Sequence, residues 1–493
     1  MNKHDAALRP TKATLCNGVH VGMLGVLIFG LAGCAAPLPR LAPPVPSQWQ
    51  HVAASDPARP TDLHGWWHVF GDAELDALVE RALAGNLDVA QAVERLRASR
   101  TLHAHSGARY LPALGAHTDD AIDPDASASF FVAGFDATWE LGLFGRAEGT
   151  RRVSQGDLDA SLADLRAAQV SLVAEVVREW IGLRTAQQQE HLLTQVSQIR
   201  QREWQVLQSR QHLQLAAPAA VDQAQANFAQ AQAALAAPRQ AINASTQRLD
   251  VLLGQNHPDP AWLRLAPPPE LGAWKLVGAP AELLRTRPEI ARAEADVLRT
   301  AGELALSRAD MFPSIGLGAS MVWATDINNN RRFSSTPNGI ASLGPVINLP
   351  LFDWGIRLAA MHAKRHELKA SVLAYRQAVL QGVAEVETAL GGLQQQQRRE
   401  QQSMLAWQAL QRVDKAVQIR VRLQLDSPLD RSDSQLAVKQ AAIELADARA
   451  GHSLAYVALF KALGGAPRPS MNDAFAVAPA MSLAPGEIAG GSH

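Results

Sequence analysis

Apolar residues recur along the chain in two rhythms, and each rhythm occurs twice in the same order. From Leu158 they fall at Leu158, Leu162, Leu165, Leu172, Val176 and Leu183, the spacing of a heptad seam along one helix face. A second copy follows 210 residues later at Leu368, Val372, Tyr375, Gly382, Val386 and Leu393, with one position lost to Gly. No convincing breaker interrupts residues from about Arg146 to Leu213, or from Ile356 to Leu423. The pattern predicts two helices of roughly 68 residues, each about 100 Å long at 1.5 Å per residue.

Ahead of each long helix the period falls to two. In "SFFVAGFDATWEL" the residues Phe131, Ala133, Phe135, Ala137, Trp139 and Leu141 alternate with Val132, Gly134, Asp136, Thr138 and Glu140. The second half offers "SIGLGASMVWA" from Ser314 and "ASLGPVINLPLF" from Ala341, around the polar loop "TDINNNRRFSSTPNG". Each half is thus predicted to hold a hairpin of strands about 9 to 11 residues long, the length of a tilted membrane-spanning strand. The same alternation also suits a soluble sheet packed on helices. In a bilayer only helices and closed barrels satisfy the backbone, and four strands close no barrel, so a membrane reading requires strands from several protomers.

The repetition extends beyond periodicity. "NLDVAQAVERL" at Asn86 corresponds to "RPEIARAEADV" at Arg287, and "ARYLPALG" at Ala108 to "ADMFPSIG" at Ala309, at an offset of 201. From "LFGR" at Leu143 and "LFDWGIR" at Leu351 onward the offset becomes 210, placing "LQLAAPAA" (Leu213 to Ala220) against "LQLDSPLD" (Leu423 to Asp430). Only the second of these phrases is charged.

The N-terminus reads as an export signal, with Lys3, Arg9 and Lys12 ahead of the apolar "VGMLGVLIFGLAGC". Its ending "LAGC" resembles the bacterial lipobox, which makes Cys34 the expected lipidation site and the outer-membrane lipid its anchor. Cys16, the other cysteine, lies in the segment to be removed, which leaves the mature chain without a disulfide. "APLPRLAPPVP" then reads as an extended tether. A net charge of -1 gives no footprint for nucleic acid. The 15 His are scattered, and no HExxH, GxSxG, CxxC or phosphate-cradling loop marks a catalytic, metal or cofactor site.

"WWHVFGDAELDALVERALAGNLDVAQAVERL", "FDATWELGLFGR", "LLRTRPEIARAEADV", "ADMFPSIGLGAS", "LPLFDWGIR" and "AEVETAL" together resemble the outer-membrane factor (TolC-like) family, specifically its lipidated NodT-type branch. The resemblance runs from about residue 31 to residue 465. It implies a mixed α and β membrane protein: a trimeric channel-tunnel with a shared twelve-stranded β-barrel and a long α-helical barrel, two internal repeats per chain. It also implies a homotrimer working with a periplasmic adaptor and an inner-membrane pump as the exit channel of a tripartite efflux system. The expected divisions are a signal peptide at 1–33, a lipid-anchored segment at 34–70, a first repeat at 71–253 with strands at about 113–141, an equatorial connection at 254–280, a second repeat at 281–465 with strands at about 314–351, and a tail at 466–493.

In that family the phrases at Leu213 and Leu423 form the periplasmic tip. Pro218 and Pro428 suit first helical turns, and Ser427 suits an N-cap. The family usually places Gly in this turn, where this chain has Gln214 and Gln424. These four tip residues, Gln214, Pro218, Gln424 and Pro428, are the expected adaptor contacts. Asp430 and Asp433 fall where the family's paired acids line the narrowest part of the tunnel; three chains would present six carboxylates there. Asp430 also suits a helix cap, which is the alternative reading. The competing function class is a coiled-coil envelope lipoprotein without pore activity, which would have no use for alternating hairpins.

Overall fold

The computed structural model describes residues 38–41, 45–51, 62–121, 130–276, 280–326 and 338–467. Cys34 and the export signal lie outside them. The order of elements is α1 (Ala73–Gly85), α2 (Leu87–Ala104), β1 (Ala113–Ala121), β2 (Phe130–Glu140), α3 (Arg146–His212), α4 (Pro218–Ala233), α5 (Ala236–Leu252), α6 (Pro280–Leu284), α7 (Pro288–Ala309), β3 (Ser314–Asp326), β4 (Asn338–Asn348), α8 (Ile356–Arg422) and α9 (Pro428–Ala462). The two long helices, α3 and α8, each span 67 residues.

Contacts divide the chain into two compact units. One holds residues 98–160 and 292–376 and carries the antiparallel sheet, in the order β1-β2-β3-β4. The β2–β3 pairing joins the hairpins of the two halves, while β1 and β4 form its edges. Here α3 and α7 meet through glycine: a Cβ on Gly302 would stand 2.7 Å from the Val153 nitrogen and 2.8 Å from the Gly149 carbonyl. Side chains are excluded from that crossing, so the backbones approach closely. Arg146, at the start of α3, bridges Glu140 at 3.2 Å and Asp310 at 2.9 Å, fixing the strand ends to the helix.

The other unit holds residues 43–97, 161–291 and 377–493. The predicted seam is buried here at Leu165, Leu172, Val176 and Leu183, and in the second copy at Val386 and Leu393. The heptad pattern therefore decides which helix face turns inward. Asp72 caps α1 by accepting from the Glu74 and Leu75 amides, and its second oxygen accepts from the Trp180 indole at 2.8 Å. Arg184, only 3% exposed, meets Glu74 at 3.0 Å, the Arg264 carbonyl at 2.8 Å and the face of Trp180. Its charge is thus paired and its donors are used, as burial requires.

The duplication is visible in the backbone. Left-handed residues recur 210 positions apart as Phe144 and Trp354, Gly145 and Gly355, Gln214 and Gln424, and Gly254 and Gly464. One difference breaks the symmetry: α9 is continuous, whereas its first-half counterpart is divided into α4 and α5. Pro238 explains it, because its imide nitrogen has no hydrogen for the Ala234 carbonyl. The equivalent position in α9 is Ala448, which continues the helix.

Asp250, the repeat partner of Phe460, is 2% exposed, and neither carboxylate oxygen finds a partner among the described residues. Burial pushes its carboxyl above the ordinary value, against a weaker opposing pull from His257. A raised folded pKa means the fold favours the protonated form, so this stabilisation is full below the ordinary aspartate range and is lost as pH rises through the raised value. Asp250→Leu is expected to raise the denaturation temperature at pH 7, with the advantage shrinking as the pH is lowered toward 4, a range set by the usual aspartate pKa of about 3.9. Thermal melts at a series of pH values would check this.

Candidate functional site

Two places hold the functional candidates: the turns between long and return helices, and the faces of the sheet. In each turn the long helix ends on a left-handed glutamine, φ 59 at both Gln214 and Gln424. The next amide reaches back five residues, Leu215 to the Arg210 carbonyl at 2.7 Å and Leu425 to Arg420 at 2.9 Å. Gln214 and Gln424 themselves donate to Gln211 at 2.8 Å and Val421 at 3.1 Å. This is the double carbonyl closure normally built around glycine, here adopted by glutamine in both copies. The turn shape therefore survives the loss of Gly at a local conformational cost. Gln424→Gly is expected to stabilise the second hairpin by about 0.5–1 kcal/mol, readable as slower amide exchange in Leu423–Ser427. Flanking each left-handed residue are two exposed leucines, Leu213 with Leu215 and Leu423 with Leu425.

Pro218 and Pro428 occupy the first turns of α4 and α9. The Ala217 cap of α4 has no side-chain hydrogen bond, whereas Ser427 forms a reciprocal capping box. Its hydroxyl accepts from the Asp430 amide at 3.2 Å, and Asp430 Oδ2 accepts from the Ser427 amide at 2.7 Å. Those hydrogen bonds hold the exposed Asp430 carboxyl below its usual range. Asp430 thus caps the helix and stays ionised. Asp433 stands exposed one turn further along, outside the capping box.

The two tips are held by different chemistry. In the first, Trp204 stacks on Phe228 with centroids 5.8 Å apart, and Val221 and Ala224 are buried. In the second, the equivalent of Trp204 is Asp414, which accepts from Ser434 at 2.7 Å, and Arg420 pairs with Asp426 at 2.8 Å. Sequence reasoning missed this contrast, although substituting one repeat into the other would have exposed it.

On the sheet, register sorts residues into rows. Leu114, Ala137, Ala319 and Leu343 lie side by side, as do Phe135, Met321 and Ala341, and Trp139, Leu317 and Pro345. These belong to one face, and its large side chains are uncovered: Leu343 is 81% and Leu114 76% exposed. The alternate rows are mostly small or polar, such as Gly115, Asp136, Ser320 and Ser342, with apolar exceptions that include Val132, Val322, Ile340 and Val346. That face carries the His117–Asp136 pair at 2.7 Å and a Ser320–Ser342 hydrogen bond at 2.8 Å. An open apolar face backed by a polar one is the signature of a sheet with lipid on one side and water on the other. No helix among the described residues is long and apolar enough to cross a membrane.

A sheet of this kind continuous with 67-residue helices defines an outer-membrane channel protein. The chain belongs to the outer membrane efflux protein family, whose model matches residues 78–255 and 279–465. It is 29% identical over 446 residues to the pyoverdine export outer membrane protein OpmQ of Pseudomonas aeruginosa, covering 85% of this chain and 91% of that one. It is 26% identical to nodulation protein T of Rhizobium leguminosarum bv. trifolii, over 83% of this chain and 88% of the relative. Among solved structures, the outer-membrane channel OprN superposes with a TM-score of 0.76 at 26% identity, covering 88% and 99% of the two chains. The open state of the Neisseria gonorrhoeae MtrE channel shares the fold, at a TM-score of 0.74 and 23% identity over 88% and 98%.

Proposed function

We propose that three copies of this chain form the outer-membrane exit channel of a tripartite efflux system, through which small molecules pass passively from the periplasm to the exterior. The observation that carries this reading is the four-stranded sheet which, among the described residues, has one uncovered apolar face and two unpaired edges. Three such sheets, joined edge to edge, supply twelve strands and leave no free backbone in the bilayer. Lipidation at Cys34 anchors the N-terminal segment to the same membrane.

The tip acts as a gate with two states. Asp430 and Asp433 from three chains surround the axis, favouring cations and repelling anions at the constriction. The second hairpin, held by one ion pair and hydrogen bonds, exchanges partners at lower cost than the apolar first tip. A periplasmic adaptor binds the exposed leucines and the turns containing Gln214, Pro218, Gln424 and Pro428, stabilising the open state, and an inner-membrane pump delivers the cargo. The chain supplies a passage and no reaction.

Planar-bilayer recording on purified protein tests the pore. Leu343→Arg, on the apolar rows, is expected to block insertion, since a cation at the bilayer midplane costs about 2–4 kcal/mol. Ser320→Arg, on the opposite face, is expected to insert and lower the conductance. Insertion unaffected by Leu343→Arg, with no conductance from wild type, would favour the coiled-coil spacer.

A further inference from the structure

Inside one chain the first repeat is seated on the second. Gln189 of α3 donates to Asp447 of α9, and a little further along Gln195, Ile199 and Arg202 of α3 share a cavity of about 270 Å³ with Asp414 of α8 and Val438 and Lys439 of α9. That joint is mostly polar. Among the described residues no third repeat receives α8 in the same way. Its matching stripe, Arg398, Leu405, Arg412 and Ile419 at heptad spacing, is exposed, and Leu405 and Ile419 are each 57% uncovered.

The offset of 210 shows what such a stripe would meet. Asp414, Val438 and Lys439, which receive α3, correspond to Trp204, Phe228 and Ala229. Both sides of the joint therefore change together. Gln195 becomes Leu405 and Ile199 shrinks to Ala409 on the inserting side, while on the receiving side Asp414 and Lys439 become Trp204 and Ala229 and Val438 enlarges to Phe228. Polar is matched to polar in one joint, apolar to apolar in the other. Trp204 and Phe228 already stack at 5.8 Å, the Trp204 indole nitrogen has no partner among the described residues, and Ala229 beside them is exposed. A closed ring of head-to-tail copies repeats each contact at every step, so the second joint falls between one copy and the next.

We propose that Leu405 and Arg412 of one chain seat on the Trp204–Phe228 platform of a second copy, as Gln195 and Arg202 seat on α8 and α9 within a chain. The inference rests on the three-copy channel proposed above and names its between-chain contact. Leu405 buries its exposed apolar surface there, and Arg412 lays its guanidinium against the partner's Trp204 ring, where Arg202 shares its cavity with Asp414. The ring so built alternates polar joints inside each chain with apolar joints between chains.

The test is cross-linking of the full-length protein in lipid nanodiscs with a short bismaleimide. Leu405→Cys combined with Ala229→Cys, which spares the aromatic stack, is expected to join chains into covalent dimers and trimers; either substitution alone should give neither. Gln195→Cys with Lys439→Cys, the within-chain equivalents, should react without raising the mass above one chain. Should Ala229→Cys fail to assemble, Gln225→Cys takes its place, as the counterpart of Gln435 in the same cavity lining. Leu405→Gln, which copies the within-chain residue, should speed subunit dissociation in detergent roughly ten-fold or more, whereas Gln195→Leu should not. Light scattering gives the copy number of the wild type. Three copies that conduct, yet yield no link between chains from the Leu405 pair or no faster dissociation of Leu405→Gln, would overturn this seat and leave the channel standing. A wild type that stays a single chain would overturn both.

Discussion

Phe460→Ala is expected to destabilise the helical unit by about 3–5 kcal/mol, the usual cost of deleting a large buried aromatic side chain. Phe460 is fully buried near the end of α9, stacked on Trp66 with centroids 5.7 Å apart and packed on Tyr456 at 4.6 Å. Trp274 adds an edge contact at 6.2 Å. The cluster also carries hydrogen bonds that the substitution would disturb: Tyr456 donates to the Trp66 carbonyl at 3.0 Å, and the Trp66 indole donates to the Gly465 carbonyl at 3.2 Å. Trp66 therefore ties the segment ahead of α1 to the end of α9. Loss of Phe460 should release both, so limited proteolysis should cut near Trp66–Phe70 before the long helices. Chemical denaturation of purified protein gives the magnitude, and an unchanged midpoint would mean that the cluster relaxes to fill the void.

Asp433→Asn is expected to reduce cation selectivity in single-channel recordings while leaving hairpin stability unchanged, whereas Ser427→Ala should do the reverse. The structure separates the two because Ser427 and Asp430 form the capping box and Asp433 stands outside it. Removing the Ser427 hydroxyl costs the Asp430 amide its acceptor, typically about 1 kcal/mol, but leaves every charge in place. Removing the Asp433 charge touches no cap. Asp430→Asn should produce both effects, since its carboxylate caps and carries charge together. Because the cap holds the Asp430 carboxyl low, its stabilisation is present above the ordinary aspartate range and is lost as pH falls through the depressed value. If Asp433→Asn and Asp430→Asn both leave selectivity at the wild-type level, the acids are structural and the constriction lies elsewhere.

The long helices and the sheet were legible because each rests on a simple period: the heptad seam fixes which residues of α3 turn inward, and alternation fixes the faces of β2. The repeat was legible for the same reason. What single-strand alternation left open was the environment of the apolar face, which became readable only when register set Leu114, Ala137, Ala319 and Leu343 in one uncovered row. The division of α4 from α5 was visible in principle at Pro238, but Pro218 had already accounted for the obvious break. Asp430 suited both a cap and a gate in sequence, since the same carboxylate at the third helical position serves either; the 2.7 Å bond to Ser427 establishes the cap alone. The contrast between the tips depends on which side chains meet across helices, which no periodicity encodes.

The outer edges of β1 and β4, unpaired among the described residues, bear on how the protein is made. A single sheet entering lipid would carry two rows of unsatisfied amides and carbonyls, each group costing several kcal/mol. In the proposed shared barrel a lone chain would thus have no stable inserted state, and embedding would wait for its companions. The rate of appearance in the membrane should then rise more steeply than linearly with the supply of chains. A defective copy, by failing to complete the ring, would be left behind in the aqueous compartment where proteases can reach it.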